Sequence, residues 1–246
     1  MRLGQAIIHW QWAYQTRKCT AVIAPSAHVK TIMEAYGIKA PIHTFHNGIE
    51  RELFTAAPAP LTKADLGIDP DQPTAVYSGR LANEKDVLSL LDAFAQAQTH
   101  VPNLHLLVIG NGQQKAEFQE KITDLGLQNH ISLLGWLPFE QVGNYLAAAD
   151  FFVTASKSEV HPLTIIEAAA AGLPIIAPET QWVRDALPET TAVLSSNDLT
   201  QSIITLAKDK ALCQELSLAA RKASEPYDIH HTVTQTIALY ESALNR

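Results

Sequence analysis

The chain has 246 residues, 47% of them hydrophobic and 17% charged, and its 18 basic and 25 acidic residues give a net charge of −7. That mix is too apolar for a disordered chain, and the acidic balance argues against a general nucleic-acid binder. With Cys19 and Cys213 as its two cysteines no disulfide framework is expected, and no apolar run reaches the roughly 18 residues of a membrane span.

Near the start, Leu3–Lys18 reads as a helix with Leu3, Ile7, Trp10 and Tyr14 on one apolar face. Gln5, His9, Gln11 and Gln15 interrupt the core that a secretory leader would need, so a cytoplasmic chain is expected. Thr20–Ala24 reads as a strand, Ser26 as the N-cap of a helix closed by Gly37, and Ile42–Phe45 as a second strand ahead of the turn His46-Asn47-Gly48. Residues 55–73 are rich in Ala, Pro and Asp and predict a surface linker with one short helix. Strands follow at Thr74–Ser78, Leu104–Ile109, His130–Leu134, Phe151–Ala155, Leu173–Ala177 and Thr191–Leu194. Helices are expected between them near 85–99, 113–126, 139–149, 162–171 and 179–187. The tail from Asp198 to Arg246 is helical and broken at Glu225-Pro226. These strands lack polar alternation, as strands buried on both faces do. Repeated βα units then predict an α/β fold, a Rossmann-like parallel sheet with helices on both faces.

Ligands of such sheets bind beyond the carboxyl ends of the strands, so the chemistry is sought in the strand-to-helix loops. Ser156 to Glu159 lead from one strand toward a helix containing Glu167, with Pro162 suited to its first turn. The amides that open this helix, those of Leu163 and Thr164 among them, form a natural anion site. Side chains tilt toward a helix N-terminus, which aims Glu167 back at that site, where it can accept hydroxyl hydrogen bonds; a capped core helix with a half-buried Glu is the plainer reading. In a second loop Gly79 permits close backbone approach, Arg80 can grip a phosphate with paired hydrogen bonds, and Lys85 stands at a helix start where an anion would offset its charge. The plainer reading pairs Arg80 and Lys85 with Glu84, Asp86 or solvent. Gly110-Asn111-Gly112 lacks the third glycine of a dinucleotide fingerprint, and Trp136-Leu137 either lines a base pocket or packs in the core.

Taken in order, these residues resemble the retaining glycosyltransferase family 4. Glu159 and Glu167, eight positions apart and followed by Ala168–Ala171, Gly172, Leu173 and Pro174, are similar to its Glu-x7-Glu signature. Gly79-Arg80-Leu81 with Lys85 looks like its phosphate loop, and His46-Asn47-Gly48-Ile49 like its hinge between lobes. The resemblance implies a GT-B enzyme that transfers a sugar from a nucleotide-diphosphate sugar with retention, without metal or other cofactor. In that frame Arg80, Lys85 and the amides of Leu163 and Thr164 hold the diphosphate. Glu167 accepts the ribose hydroxyls, Glu159 contacts the transferred sugar, and Gly110–Gly112 with Trp136 and Leu137 surround the base. Catalysis then falls to Glu159, Arg80 and Lys85.

The pattern departs from the family at Val160, His161 and Pro162, where glycines and an aromatic residue are common. His161 either hydrogen-bonds a sugar hydroxyl or fills the former aromatic space. No pair among the ten histidines has the helical spacing of a zinc motif, so no metal is expected. The expected organisation is a remnant of the N-terminal acceptor lobe with the hinge over 1–49, a nucleotide-sugar-binding lobe over 50–225, and a helix over 226–246 returning toward the first lobe. The 45 residues ahead of His46 suffice for a helix and one βα unit, short of a whole acceptor lobe. Three readings follow: a transferase completed by further chain or a partner chain, a truncated nucleotide-sugar-binding module without transfer, and a nucleotide-sugar epimerase. Glu159 with Glu167 favours transferase over epimerase. The acceptor, a glycan or a lipid, is left open, and so is peripheral contact of the Trp10 helix with the cytoplasmic face of a membrane.

Overall fold

The computed structural model describes residues 10–157, 159, 162–187, 193–195 and 198–245. The chain divides into two compact units, one of Met1–Ile49 with Tyr227–Arg246 and one of Glu50–Pro226.

In the first unit residues 10–15 are helical and run into a 3-10 turn, Thr16–Lys18. The rest of the helix expected from Leu3 lies outside the described residues. β1 (Val22–Ala24) pairs in parallel with β2 (Ile42–Thr44), joined through α1 (Ala27–Ala35), whose start is capped by Ser26 Oγ accepting from the Val29 amide at 3.2 Å. The segment around Ile49 runs beside the start of a long C-terminal helix, Ile229–Leu244. The Ile49 amide donates to Tyr227 O at 2.8 Å and the Ile229 amide to Ile49 O at 3.0 Å. Gly48 is dictated by this approach, since a β-carbon there would fall 2.5 Å from Ile229 Cα.

The second unit opens with the short helix α2 (Glu52–Thr55). It then alternates β3 (Thr74–Ser78), α3 (Val87–His100), β4 (His105–Ile109), α4 (Lys115–Asp124), β5 (Ile131–Gly135), α5 (Phe139–Leu146), β6 (Phe151–Val153), α6 (Leu163–Ala171), β7 (Ile175–Ala177), α7 (Gln181–Ala186) and β8 (Val193–Ser195). Helices α8 (Leu199–Lys208) and α9 (Lys210–Ala223) end the unit. The described strands form one parallel sheet in the order β5-β4-β3-β6-β7-β8. Strand ends differ from the sequence expectation by a residue or two, because hydrogen-bond pairing and not hydrophobicity sets where a strand stops. Of the strand expected at Thr191–Leu194, residues 191 and 192 lie outside the described residues.

The missing polar alternation has its cause in the layers. Ala75, Tyr77, Leu106, Val108, Phe151 and Val153 belong to a core with Leu90, Leu91 and Phe94 of α3, Phe118 of α4 and Ile203 of α8. Val76, Leu107 and Phe152, one position out of phase, are equally buried, so β3, β4 and β6 are covered on both faces there. Helices α2, α5, α6 and α9 pack with one another as a second group. Ala168, Ala169 and Ala170 are fully buried on α6. The linker is tied down by Asp150, which accepts from Lys63 Nζ and the Thr74 amide, each at 2.7 Å. No helix among the described residues is long and apolar enough to cross a membrane.

The loops after β3 and β4 touch backbone to backbone. Gly79 N donates to Ile109 O at 2.9 Å, Leu81 N to Asn111 O at 3.0 Å and Gln114 N to Leu81 O at 2.9 Å. A β-carbon on Gly110, whose φ is +140°, would lie 1.9 Å from Gly79 O, and one on Gly112 would lie 2.2 Å from Leu81 O. Gly110→Ala is therefore expected to destabilise the chain by about 3 kcal/mol, through strain and a backbone clash together, as read from urea unfolding midpoints.

A candidate functional site at the sheet switch point

β3 is flanked by β4 and β6, so the chain steps to one side after β3 and the later strands extend the sheet on the other. Such a reversal opens a crevice at the carboxyl ends of the two central strands. The loops that leave β3 and β6 carry Gly79, Arg80, Lys85, Ser156, Glu159 and, one helix turn further, Glu167.

Gly79, at φ +154°, lies over the Tyr77 ring, and a β-carbon would meet Tyr77 Oη at 2.9 Å. The Tyr77 hydroxyl donates to Arg80 O at 2.8 Å and props the loop from below. Burial, with the charges of Glu159 and Glu84 added, pushes its ionisation far above the usual tyrosine range, so it serves as a neutral donor. The Arg80 side chain is exposed and its Nη2 reaches Glu84 Oε1 at 2.7 Å. Lys85 is not the first residue of the helix: it closes a 3-10 turn, Asn83–Lys85, with Asp86 between it and α3. Its ammonium forms a close ion pair with Glu159 Oε1, and Ser156 Oγ donates to the same carboxylate oxygen at 2.8 Å. Of the plainer pairings, Arg80 with Glu84 is found, while Lys85 reaches across the crevice instead of to Glu84 or Asp86.

Pro162 stands at the N-cap of α6 and not inside its first turn. It supplies no side-chain cap, and its carbonyl accepts from the Ile165 and Ile166 amides at 3.1 and 3.3 Å. The Leu163 and Thr164 amides ahead of them have no acceptor among the described residues and lie at the positive end of the helix. Glu167 is 8% exposed, and no described residue hydrogen-bonds or pairs with its carboxyl. Burial alone pushes its pKa up to about 7.

Gly110, Asn111 and Gly112 lie beside the β3 loop, where the glycines serve the backbone contact described above. In the next loop Gly135 O accepts from the Gly110 amide at 2.7 Å. Trp136 is 72% exposed, which overturns the core-packing alternative and leaves a flat ring presented to solvent next to half-buried Leu137. His161 lies outside the described residues. Tyr77, Asp86 and Lys157 escape motif reasoning, because a tyrosine in a buried strand reads as core and loop charges read as solvated. The detectable signal was a large hydroxyl-bearing side chain two residues ahead of Gly79.

Glu167 gives this site a pH signature. An acid whose pKa rises on folding favours the folded chain in its protonated form. Stability is therefore highest below the ordinary carboxylate value of 4.5 and declines as pH rises from there through about 7. Glu167→Gln should remove that decline. Urea unfolding is expected to show the variant more stable at pH 8, by up to ~3 kcal/mol, with little difference near pH 4.

The chain matches the model of the family described as glycosyl transferases group 1 over residues 59–223. It is 28% identical over 221 residues to the alpha-monoglucosyldiacylglycerol synthase of Acholeplasma laidlawii, covering 86% of this chain and 55% of that protein. The synthase of the same name from Streptococcus pneumoniae is 28% identical over 173 residues, covering 68% of this chain and 39% of that protein. The chain thus spans about half the length, or less, of these relatives. A crystal structure of Anabaena HepE in complex with UDP and glucose superposes with a TM-score of 0.83 at 20% identity, covering 98% of this chain and 68% of that one. The ordered loops and the family match agree, and this chain belongs to the glycosyl transferases group 1 family.

Proposed function

We propose that the chain supplies the donor-binding half of a retaining, metal-independent glycosyltransferase that uses a nucleotide-diphosphate sugar. The observation that carries this reading is the Lys85–Glu159 ion pair across the switch point, together with the Leu163 and Thr164 amides at the start of α6 and the buried Glu167 carboxyl, which have no hydrogen-bond partner among the described residues. Anabaena HepE, similar in fold, was crystallised with UDP and glucose, and the two relatives carry glucosyl in their names. Both supports favour a nucleotide-sugar over another phosphate ligand.

In this mechanism an arriving diphosphate takes Lys85 from Glu159 and Arg80 from Glu84, and it accepts hydrogen bonds from the Leu163 and Thr164 amides. Glu159, released from its cation, turns to the hydroxyls of the sugar. Glu167 accepts the ribose hydroxyls, which replaces the water it lost on burial. Trp136 and Leu137 border the base beside the Gly110–Gly112 loop. Negative charge grows on the departing diphosphate as the glycosidic bond breaks, and Arg80, Lys85 and the helix amides are already aimed at it. Losing one such donor typically raises a barrier by ~2.7–4 kcal/mol. The acceptor site belongs to the rest of the catalytic assembly, in further chain or in a partner chain.

Calorimetric titration with UDP and UDP-glucose tests this. The chain is expected to bind both tighter than millimolar, and Lys85→Ala and Arg80→Ala each to weaken binding by ~10–100-fold, the usual worth of a hydrogen bond to a charged group. Absence of binding by the unaltered chain, or binding indifferent to both substitutions, sinks the donor reading. A second outcome is expected of the chain by itself: donor binding without transfer to glycan or lipid acceptors, checked with radiolabelled UDP-glucose.

A further inference from the structure

Two consecutive residues of the β3–α3 loop pair with two residues of the β6–α6 loop, with alternating sign. Lys85 meets Glu159, and Asp86 meets Lys157 at 2.5 Å. Asp86 is also the one non-glycine residue with positive φ among the described residues, at φ 50°, ψ 39°. This left-handed conformation crowds a β-carbon and is one that glycine adopts freely, so the position selects for glycine unless the side chain is used. Here it is used twice, since Asp86 Oδ1 accepts from Ser89 Oγ at 2.7 Å and Oδ2 holds Lys157. The carboxyl is held below its ordinary range: burial opposes this, and the contacts of Lys157 and Ser89 outweigh it.

The Asp86 side chain is 25% exposed but that of Lys157 is 74% exposed, and a pair this open adds little to global stability. Its effect is local. Lys157 lies one residue after Ser156 and two before Glu159, the residues that share a carboxylate oxygen at the crevice. A tether at Lys157 restricts where that loop can carry Glu159.

We propose that Asp86 is a positioning residue for the donor site: through Lys157 it fixes the loop bearing Ser156 and Glu159, so that Glu159 is presented to Lys85 and, after the diphosphate displaces that cation, to the donor sugar. The role in donor recognition rests on the function proposed above. The positioning itself is readable without any ligand.

Asp86→Gly separates the backbone cost of the position from its side-chain contacts, since it relieves the left-handed backbone and removes the carboxylate. Its melting temperature is expected to stay level or rise, while amide exchange at Lys157 and Glu159 accelerates about tenfold. Affinity for UDP-glucose should fall about tenfold and affinity for UDP by clearly less, because Glu159 serves the sugar. Lys157→Met should reproduce the exchange and affinity changes, and the double variant should add nothing further to them, as expected of two groups acting as one. Unchanged exchange at Lys157 and Glu159 in both single variants overturns the proposal. Failure of the unaltered chain to bind UDP-glucose overturns the donor reading instead, and the exchange result still decides whether Asp86 holds the loop.

Discussion

The parallel pairing of β3 with β6 is the constraint on which the site depends. Neighbouring strands are joined in register over Ala75–Phe151 and Val76–Phe152, although they lie more than seventy residues apart in the chain. Helices must cover both faces of a parallel sheet, so the connections leaving these strands diverge, and the space between them is left without protein. Lys85 and Glu159, remote in sequence, meet because their strands are neighbours.

The arrangement of charge follows from the same opening. Two cations on one loop repel one another, and Lys85 is largely withdrawn from water, so nearby carboxylates lower their cost. Glu84 and Glu159 fill that role for Arg80 and Lys85. Glu167 solves the problem differently. Buried and with no partner among the described residues, it has its pKa pushed up to about 7 by burial and so holds a proton more readily than an exposed carboxyl. Charge at these loops is thus balanced from within, by two ion pairs and an acid whose pKa burial raises.

Close packing at the strand ends has its own logic. Gly110 and Gly112 look in sequence like an incomplete dinucleotide fingerprint, yet their small size is demanded by the carbonyls of Gly79 and Leu81. The same residues therefore fix how the β3 loop stands. Tyr77 acts from the other side, with its ring under Gly79 and its hydroxyl on the Arg80 carbonyl. The β3 loop is thus held by backbone hydrogen bonds and one buried phenol, while its cation side chains pair with Glu84 and Glu159.

The sequence by itself determined the class of fold. Apolar β-branched runs without alternation mean strands covered on both faces, and helix-length spacers between them mean parallel connection. It also determined the chemical inventory, because Arg80, Lys85, Glu159 and Glu167 occupy loops and helix starts that local pattern locates well. Which groups meet was decided by tertiary structure. That Lys85 reaches Glu159 and not Asp86, that Asp86 holds Lys157, and that Trp136 faces solvent all depend on strand order and crossing loops. The left-handed backbone at Asp86 is hidden for a related reason: a residue type indicates which conformations are easy, whereas a strained one persists only where contacts from another part of the chain hold it.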